Sequence, residues 1–463
     1  MFIGREKELD SLTKAYNKKG FQFPVIYGRR RVGKTTLINE FCKGKKAIYF
    51  VAVQSTMKEN LEILSEQIFS VLAPASPKNS FSSFREAIDY VFQRAKDGRL
   101  LFIIDEYPYL AEGDKSVSSV LQVAIDKYHI DSNLFLILCG SSMSFMEEQV
   151  IGYKSPLYGR RTSQIKVLPF NYITSAKMLE GFSKKDKIVL YSILGGIPEY
   201  LFRVDNSLSV KENIHDLFFD ISGRLFEEPT NLIKRELKIP QTYNSIIGAI
   251  ADRKSRINEI STQVGIETSQ CSKMLNNMIA LGLVKKETPV IEMKSRKTIY
   301  SLDDSMFIFW YRFVFPELSR ITAGLGEVVC NELFTEHIAS HVGYIFEKCA
   351  IQYMWQCLKE GETPFSFKEI GRWWGNNSKE YREEEIDFVA YSKDKAIFGE
   401  CKWRNQLLGK EVLEELIRKS ELFPSFKKRY YYLFSKIGFT DYVKQQAEDN
   451  EEIVLITVEE MFE

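Results

Sequence analysis

Along the first 170 residues, apolar positions gather into short unbroken runs with helical patterns between them. The runs are Phe23–Tyr27, Ala47–Ala52, Leu100–Asp105, Leu134–Gly140 and Gln164–Val167. Runs without strict alternation predict strands buried on both faces. Five of them separated by helices predict a parallel sheet with covering helices. From 171 the pattern is helical, with a break at Gly195-Gly196-Ile197-Pro198. Between 241 and 302 three helices are predicted, near Tyr243–Ala251, near Ile257–Val264, and from just after Glu267 to Leu281. Two strand-like pieces follow, joined by a charged turn near Lys294–Lys297, and three helices followed by a hairpin form a winged-helix pattern. Residues 303–335 are rich in aromatics, among them Phe307, Phe309, Trp310, Tyr311, Phe313 and Phe315. The last segment opens with a helix around Glu336–Leu358 and continues with strands and further helices.

Bulk properties narrow the picture only a little. With 463 residues the chain has material for two to four domains. Its formal net charge of +1 gives no global field toward nucleic acid or membrane, so such a partner must be met by a local patch. No apolar run is long enough to cross a bilayer, and Met1 to Asp10 shows no signal-peptide pattern. The seven cysteines are scattered without a C-x-x-C pair, which argues against structural zinc and a disulfide framework and suits a reducing cytoplasm. Cys139 and Cys401 sit in strand-like runs and read as buried thiols.

The strongest chemical signal is Gly28-Arg29-Arg30-Arg31-Val32-Gly33-Lys34-Thr35, followed by Thr36. It matches G-x-x-x-x-G-K-[ST] and lies between an apolar strand and a helix, the context its mechanism requires. The glycines let backbone N–H groups wrap a phosphate chain, and the helix beginning near Lys34 aims its positive end at the same anions. Lys34 is placed to reach the β- and γ-phosphates of ATP and Thr35 to hold Mg²⁺. The run ending in Asp105-Glu106 sets an acid pair at a strand's carboxyl end, with Asp105 on Mg²⁺ and Glu106 as general base for water. Ser141 and Ser142, after the fourth run, can sense the γ-phosphate. Arg160 or Arg161 can serve as an arginine finger, from the same chain or from a neighbouring subunit of an oligomer.

These residues carry a resemblance. With this loop and acid pair, Phe2-Ile3-Gly4-Arg5-Glu6 and Gly196-Ile197-Pro198 resemble two signatures of the archaeal-type ATPases, a group of archaea and bacteria within the AAA+/STAND assembly of P-loop proteins. The resemblance implies that the first box packs near the adenine, and that the second belongs to a helical lid contacting nucleotide.

The predicted third helix of the winged-helix pattern presents Thr268, Ser269, Gln270, Lys273, Asn276 and Asn277 opposite a core stripe of Met274, Leu275, Met278 and Leu281. Short polar side chains there suit base edges and phosphates, and Lys294, Arg296 and Lys297 in the turn suit a DNA backbone. A protein-docking role for the same module is the competing reading.

Further on, Glu385-Ile386-Asp387-Phe388-Val389-Ala390-Tyr391 and Ala396-Ile397-Phe398-Gly399-Glu400-Cys401-Lys402 predict a β-hairpin. Alternation places Glu400 and Lys402 on one face, with Asp387 able to sit opposite. Two carboxylates and a lysine suit a hard cation, Mg²⁺ or Mn²⁺, and attack of water on a phosphodiester, with Lys402 positioning the water or stabilising charge. Glu347, on an amphipathic helix, can add a third carboxylate. The pattern resembles the PD-(D/E)XK nuclease superfamily, with Asp387, Glu400 and Lys402 at its signature positions and Glu347 as its helix acid. Ile386 stands where that pattern has proline. Trp373, Trp374 and Trp403 read as packing residues.

The expected fold class is therefore α/β: a P-loop NTPase parallel sheet (1–170), a helical lid (171–240), a winged-helix domain (241–302), an aromatic connector (303–335) and a C-terminal nuclease-like α/β domain (336–463). The expected function is an ATP-binding and ATP-hydrolysing protein that binds DNA and cleaves it with a metal ion under nucleotide control. A STAND-like regulatory switch acting on a protein partner or oligomer, with a non-catalytic C-terminal domain, is the alternative.

Overall fold

The computed structural model describes residues 2–74, 80–291, 297–377 and 380–463. It divides into two compact units, Met1–Pro169 and Phe170–Glu463. The sequence boundaries drawn at 240, 302 and 335 fall inside the second unit.

The first unit holds a five-stranded sheet of β1 (Pro24–Tyr27), β2 (Ala47–Val51), β3 (Leu100–Asp105), β4 (Leu134–Gly140) and β5 (Ser163–Lys166), in the order β2-β3-β4-β1-β5. Every pairing is parallel. The three inner strands are buried at every residue, while edge strand β2 alternates, which is why the inner runs are uninterrupted in the sequence. β4 lies between β1 and β3, so the loop after β1 and the acids after β3 open at the same carboxyl edge with the end of β4 between them.

In the second unit, helices at Pro240–Ala251, Ile257–Val264 and Thr268–Ala280 precede an antiparallel pair, β6 (Val284–Glu287) and β7 (Ile299–Leu302). A second five-stranded sheet joins β8 (Glu369–Asn377), β9 (Arg382–Ser392), β10 (Lys395–Lys402), β11 (Lys428–Ser435) and β12 (Ile453–Thr457) in the order β12-β11-β10-β9-β8. It is mixed: β8, β9 and β10 run antiparallel, while β10, β11 and β12 are parallel. The aromatic stretch is core rather than linker. Phe309 packs against Phe218 with ring centroids 5.1 Å apart, and the Trp310 indole N–H donates to Phe226 O at 2.7 Å.

Segments far apart in sequence close this unit. The Tyr172 hydroxyl donates to Met461 O at 2.7 Å, and the Tyr172 N–H donates to Gln352 Oε1 at 3.0 Å. Gly196 is fixed by packing: a Cβ there would lie 1.9 Å from Phe170 O, whose own N–H donates to Gly196 O at 2.7 Å. Gly196→Ala is therefore expected to cost about 3 kcal/mol, read as a lower denaturant midpoint for the second unit.

Candidate functional site

In the first unit the loop between β1 and the helix Lys34–Cys42 is shaped by two glycines. Gly33 has φ 89°, a left-handed conformation that suits glycine. Gly28 lies against the chain after β5, where a Cβ would come within 2.3 Å of Val167 O. Arg5, in the N-terminal box, is buried and pins the loop from behind. Its guanidinium donates to Val32 O at 2.8 Å and to Leu168 O at 2.7 Å. The Lys34 ammonium is buried and donates to Gly28 O at 2.8 Å and Arg29 O at 2.9 Å. Burial draws its pKa down, partly offset by neighbouring Cys139, Glu106 and Asp105. Thr35 and Thr36 are exposed at the start of the helix.

Asp105 is buried and bonded on both oxygens. Its Oδ1 accepts from the Glu106 N–H at 2.9 Å, and its Oδ2 accepts from the Thr35 hydroxyl at 3.2 Å and the Tyr49 hydroxyl at 2.7 Å. Tyr49 was not singled out in the sequence. It lies on β2, which pairs with β3 in a register that sets Val51 beside Asp105. Burial, then the Asp105 charge, pushes the Tyr49 phenol up, so it stays a donor. Glu106 holds φ 50° at the start of the helix Tyr107–Gly113, and its Oε2 accepts from the Ser141 hydroxyl at 2.9 Å. Thus Lys34, Thr35, Asp105, Glu106 and Ser141 meet at one edge. Thr35 and Asp105 supply two hard oxygen donors, a set that fits Mg²⁺ shared with phosphate oxygens and water.

The two arginines read as finger candidates are both engaged within the unit. Arg160 makes a two-pronged contact with Asp126, both bonds at 2.7 Å, and Arg161 donates to Ile151 O at 2.7 Å.

The second unit gathers the hairpin acids. β9 and β10 pair from Ser392–Lys395 to Phe388–Gly399, and just beyond this ladder the Cys401 N–H donates to Asp387 Oδ2 at 2.7 Å. Lys402 bonds Glu400 Oε1, so the two share a face as alternation requires. Glu400 Oε2 is buried without a hydrogen-bond partner, 4.0 Å from the Lys419 ammonium. Glu347 comes from the helix Ile338–Glu360. Burial and the Asp387 charge push the Glu347 carboxyl well up, and burial and the Glu400 charge do the same to Asp387. Burial pulls the Lys402 ammonium down, but the charges of Glu400 and Asp387 outweigh it and hold its pKa above the ordinary lysine value. Arg372 on β8 pairs with Glu385, and the Glu347 charge also acts on it. Arg372 and Lys419 were not anticipated. They come from elements whose approach to the hairpin is set by the tertiary fold.

The three-carboxylate cage expected of Asp387, Glu400 and Glu347 is not gathered among the described residues, where no group of three or more His, Cys, Asp or Glu side chains forms a metal site. Asp387 is turned to a backbone N–H and Glu400 to lysines, because carboxylates repel one another unless each finds a donor. The donor chemistry still fits a hard cation, since Glu347 and Asp387 are held against their neighbours' charge and a Glu400 oxygen lacks a donor.

All seven cysteines are free, and Cys139 and Cys401 are buried with pKa values raised by burial. Trp373 and Trp403 are packed edge-on against Phe423 and Phe346. On the helix Thr268–Ala280 the six polar residues are exposed and Met274, Leu275 and Met278 are buried, as is Leu281 just past its end. Lys294 and Arg296 of the hairpin turn lie outside the described residues, while Lys297 lies within them.

Comparisons with known proteins follow the same division. The family of an ATPase domain predominantly from Archaea matches residues 2–204. A family of archaeal and bacterial proteins of unknown function matches residues 310–419. An uncharacterized protein of Methanocaldococcus jannaschii is 32% identical over 456 residues, 96% of this chain and 95% of that protein. An uncharacterized ATP-binding protein of Pyrococcus abyssi is 26% identical over 227 residues, 43% of this chain and 68% of that protein. The solved Walker-type ATPase of Pyrococcus abyssi aligns at 23% identity with a TM-score of 0.48, covering 67% of this chain and 96% of that one.

Proposed function

This chain belongs to the P-loop ATPase family whose domain is found predominantly in Archaea, and from that premise we propose that ATP binding and hydrolysis in the first unit control DNA binding and metal-dependent DNA cleavage by the second. The observation carrying the second half is the approach of half-buried Asp387 and Glu347 to buried Glu400 and to Lys402, whose charges act on one another.

At the nucleotide site, backbone N–H groups of Gly28 to Thr36, with Arg29, Arg30, Arg31 and Val32 between the glycines, cradle the phosphates. Lys34 moves from the Gly28 and Arg29 carbonyls onto the β/γ oxygens. Thr35 and Asp105 would hold Mg²⁺, which would neutralise phosphate charge when bound. Glu106 takes the proton of a water whose oxygen bonds to the γ-phosphorus, and the bond to the bridging oxygen breaks to leave ADP. The bond from Ser141 holds Glu106 at the strand edge where that water attacks. Tyr49 acts as a positioning residue, locking the Asp105 carboxylate. Tyr49→Phe is expected to raise the Mg²⁺ concentration for half-maximal hydrolysis about tenfold, with turnover nearly restored at saturating Mg²⁺. An unchanged Mg²⁺ dependence assigns Tyr49 to packing alone.

In the second unit, Asp387 and Glu400, with Glu347 beside them, would hold a divalent cation (Mg²⁺ or Mn²⁺), which would supply Lewis acidity toward a phosphodiester. Lys402 places positive charge where the phosphorane charge builds. The exposed polar face of the helix Thr268–Ala280 supports DNA contact.

The test is cleavage of supercoiled and linear DNA in Mg²⁺ or Mn²⁺, with and without ATP. Cleavage abolished by chelator and altered by ATP is expected. A second reading, a STAND-like switch on a protein partner or oligomer, draws support from the +1 net charge and the absence of a gathered metal cage among the described residues. Intact ATP hydrolysis with no cleavage under any condition selects that reading. No helix among the described residues is long and apolar enough to cross a membrane.

A further inference from the structure

Within the second unit lies a cavity of about 550 Å³ whose wall carries Arg253, Lys254, Arg312 and Arg372. The four cations come from separate places: the turn after the helix Pro240–Ala251, the aromatic stretch, and β8. The turn is tied to the small hairpin, since the Tyr300 N–H donates to Ser255 O at 2.7 Å. Glu385 is the one carboxylate lining the cavity among the described residues, and Arg372 already pairs with it. Arg253, Lys254 and Arg312 form no ion pair among the described residues; Arg312 lies over the Phe313 ring instead.

That arrangement is costly. Arg253 holds φ 64°, a left-handed conformation unfavourable for a residue with a Cβ. The Arg312 guanidinium is half-buried and faces a like charge, and burial, then the Arg253 charge, lowers its pKa. Arg253, Lys254 and Arg312, sharing a wall whose one carboxylate is already paired with Arg372, suit an anion from outside. One small phosphate is satisfied by one or two such groups, whereas cations spread over separate segments suit a run of phosphates. The hairpin acids Asp387 and Glu400 do not line the cavity but lie beside it, since the charge of Glu385 acts on both Glu347 and Asp387. Arg372 and Glu385 line it, Tyr344 lies one turn before Glu347 on the same helix, and the charges of Glu347 and Arg372 act on each other.

We propose that this cavity grips a nucleic-acid phosphodiester through Arg253, Lys254 and Arg312, and leads its next phosphate to the acids around Asp387. The grip stands on the cavity alone, whereas the onward path rests on the cleavage reading above.

The experiment is binding of a labelled DNA duplex to the full chain in chelator, across a salt series, with the triple variant Arg253→Ala, Lys254→Ala, Arg312→Ala. The logarithm of affinity against the logarithm of salt is expected to become shallower by about 0.9 for each contact removed. Arg253→Lys with Arg312→Lys keeps the charges and is expected to keep most of the slope. Arg253 and Lys254 are exposed, so their double variant reads the same effect should the Arg312 change disturb folding. An unchanged slope in the triple variant overturns the proposal. So does loss of tripolyphosphate binding with DNA binding intact, which assigns the cavity to a free phosphate compound. Asp387→Ala separates the readings: a kept slope with no cleavage in wild type removes the nuclease and leaves the grip.

Discussion

Lys34→Ala is expected to lower ATP turnover by about 10²–10³-fold, the loss that follows when one preorganised charge is withdrawn from the place where transition-state charge develops. Lys34 is buried in the phosphate loop, and its ammonium rests on two carbonyls of that loop. An ammonium on neutral carbonyls is readily drawn to phosphate oxygens, because a charge-assisted bond is roughly twice as strong. Alanine removes the charge and leaves the backbone N–H groups, so nucleotide binding is expected to fall less than turnover. Phosphate release under saturating ATP, beside binding of a fluorescent nucleotide, measures the two separately. Turnover within threefold of wild type would remove Lys34 from the chemistry.

The second large effect is expected at Asp387. Its carboxylate accepts the Cys401 N–H and lies where burial and the Glu400 charge oppose ionisation. Such a group is stabilised by a cation and, without one, is a liability to the fold. Asp387→Ala is expected to abolish DNA cleavage in Mg²⁺ or Mn²⁺ while ATP turnover stays near wild type. Asp387→Asn keeps an oxygen for the Cys401 N–H and removes the charge, so it separates lost chemistry from lost packing. If the asparagine variant cleaves like wild type, Asp387 has no part in binding a cation. Cleavage that also falls in Lys34→Ala would show that nucleotide state governs the second unit.

The first sheet was legible because strands buried on both faces must be apolar throughout, and the loop and acid pair sit at strand ends where apolar runs stop. The observed strands differ from the expected ones by a residue or so at the ends, as at Phe23 and Ala52, which are buried just outside the strand limits. Tyr49 was illegible for a physical reason: its value comes from lying across a strand pairing from Asp105, and sequence spacing says nothing of that register. Arg160 reads as an arginine-finger candidate in the sequence because its partner, Asp126, lies 34 positions away. Gly196 looked like a nucleotide-facing turn by resemblance, and within its own unit the close approach of Phe170 is reason enough for a glycine. The hairpin acids were readable from alternation, but Arg372 and Lys419 were not, since the sheet and a helix deliver them from 15 residues before Asp387 and 17 after Lys402.

The bond from Tyr172 to Met461 spans 289 positions. During synthesis at about 5–20 residues per second, roughly 15–60 s pass between the emergence of the two partners. Residues up to Pro169 can complete their sheet in that interval, whereas Tyr172 lacks its Met461 partner until that residue has been made. A chaperone that captures nascent chains would therefore find its longest opportunity on the stretch just after Phe170.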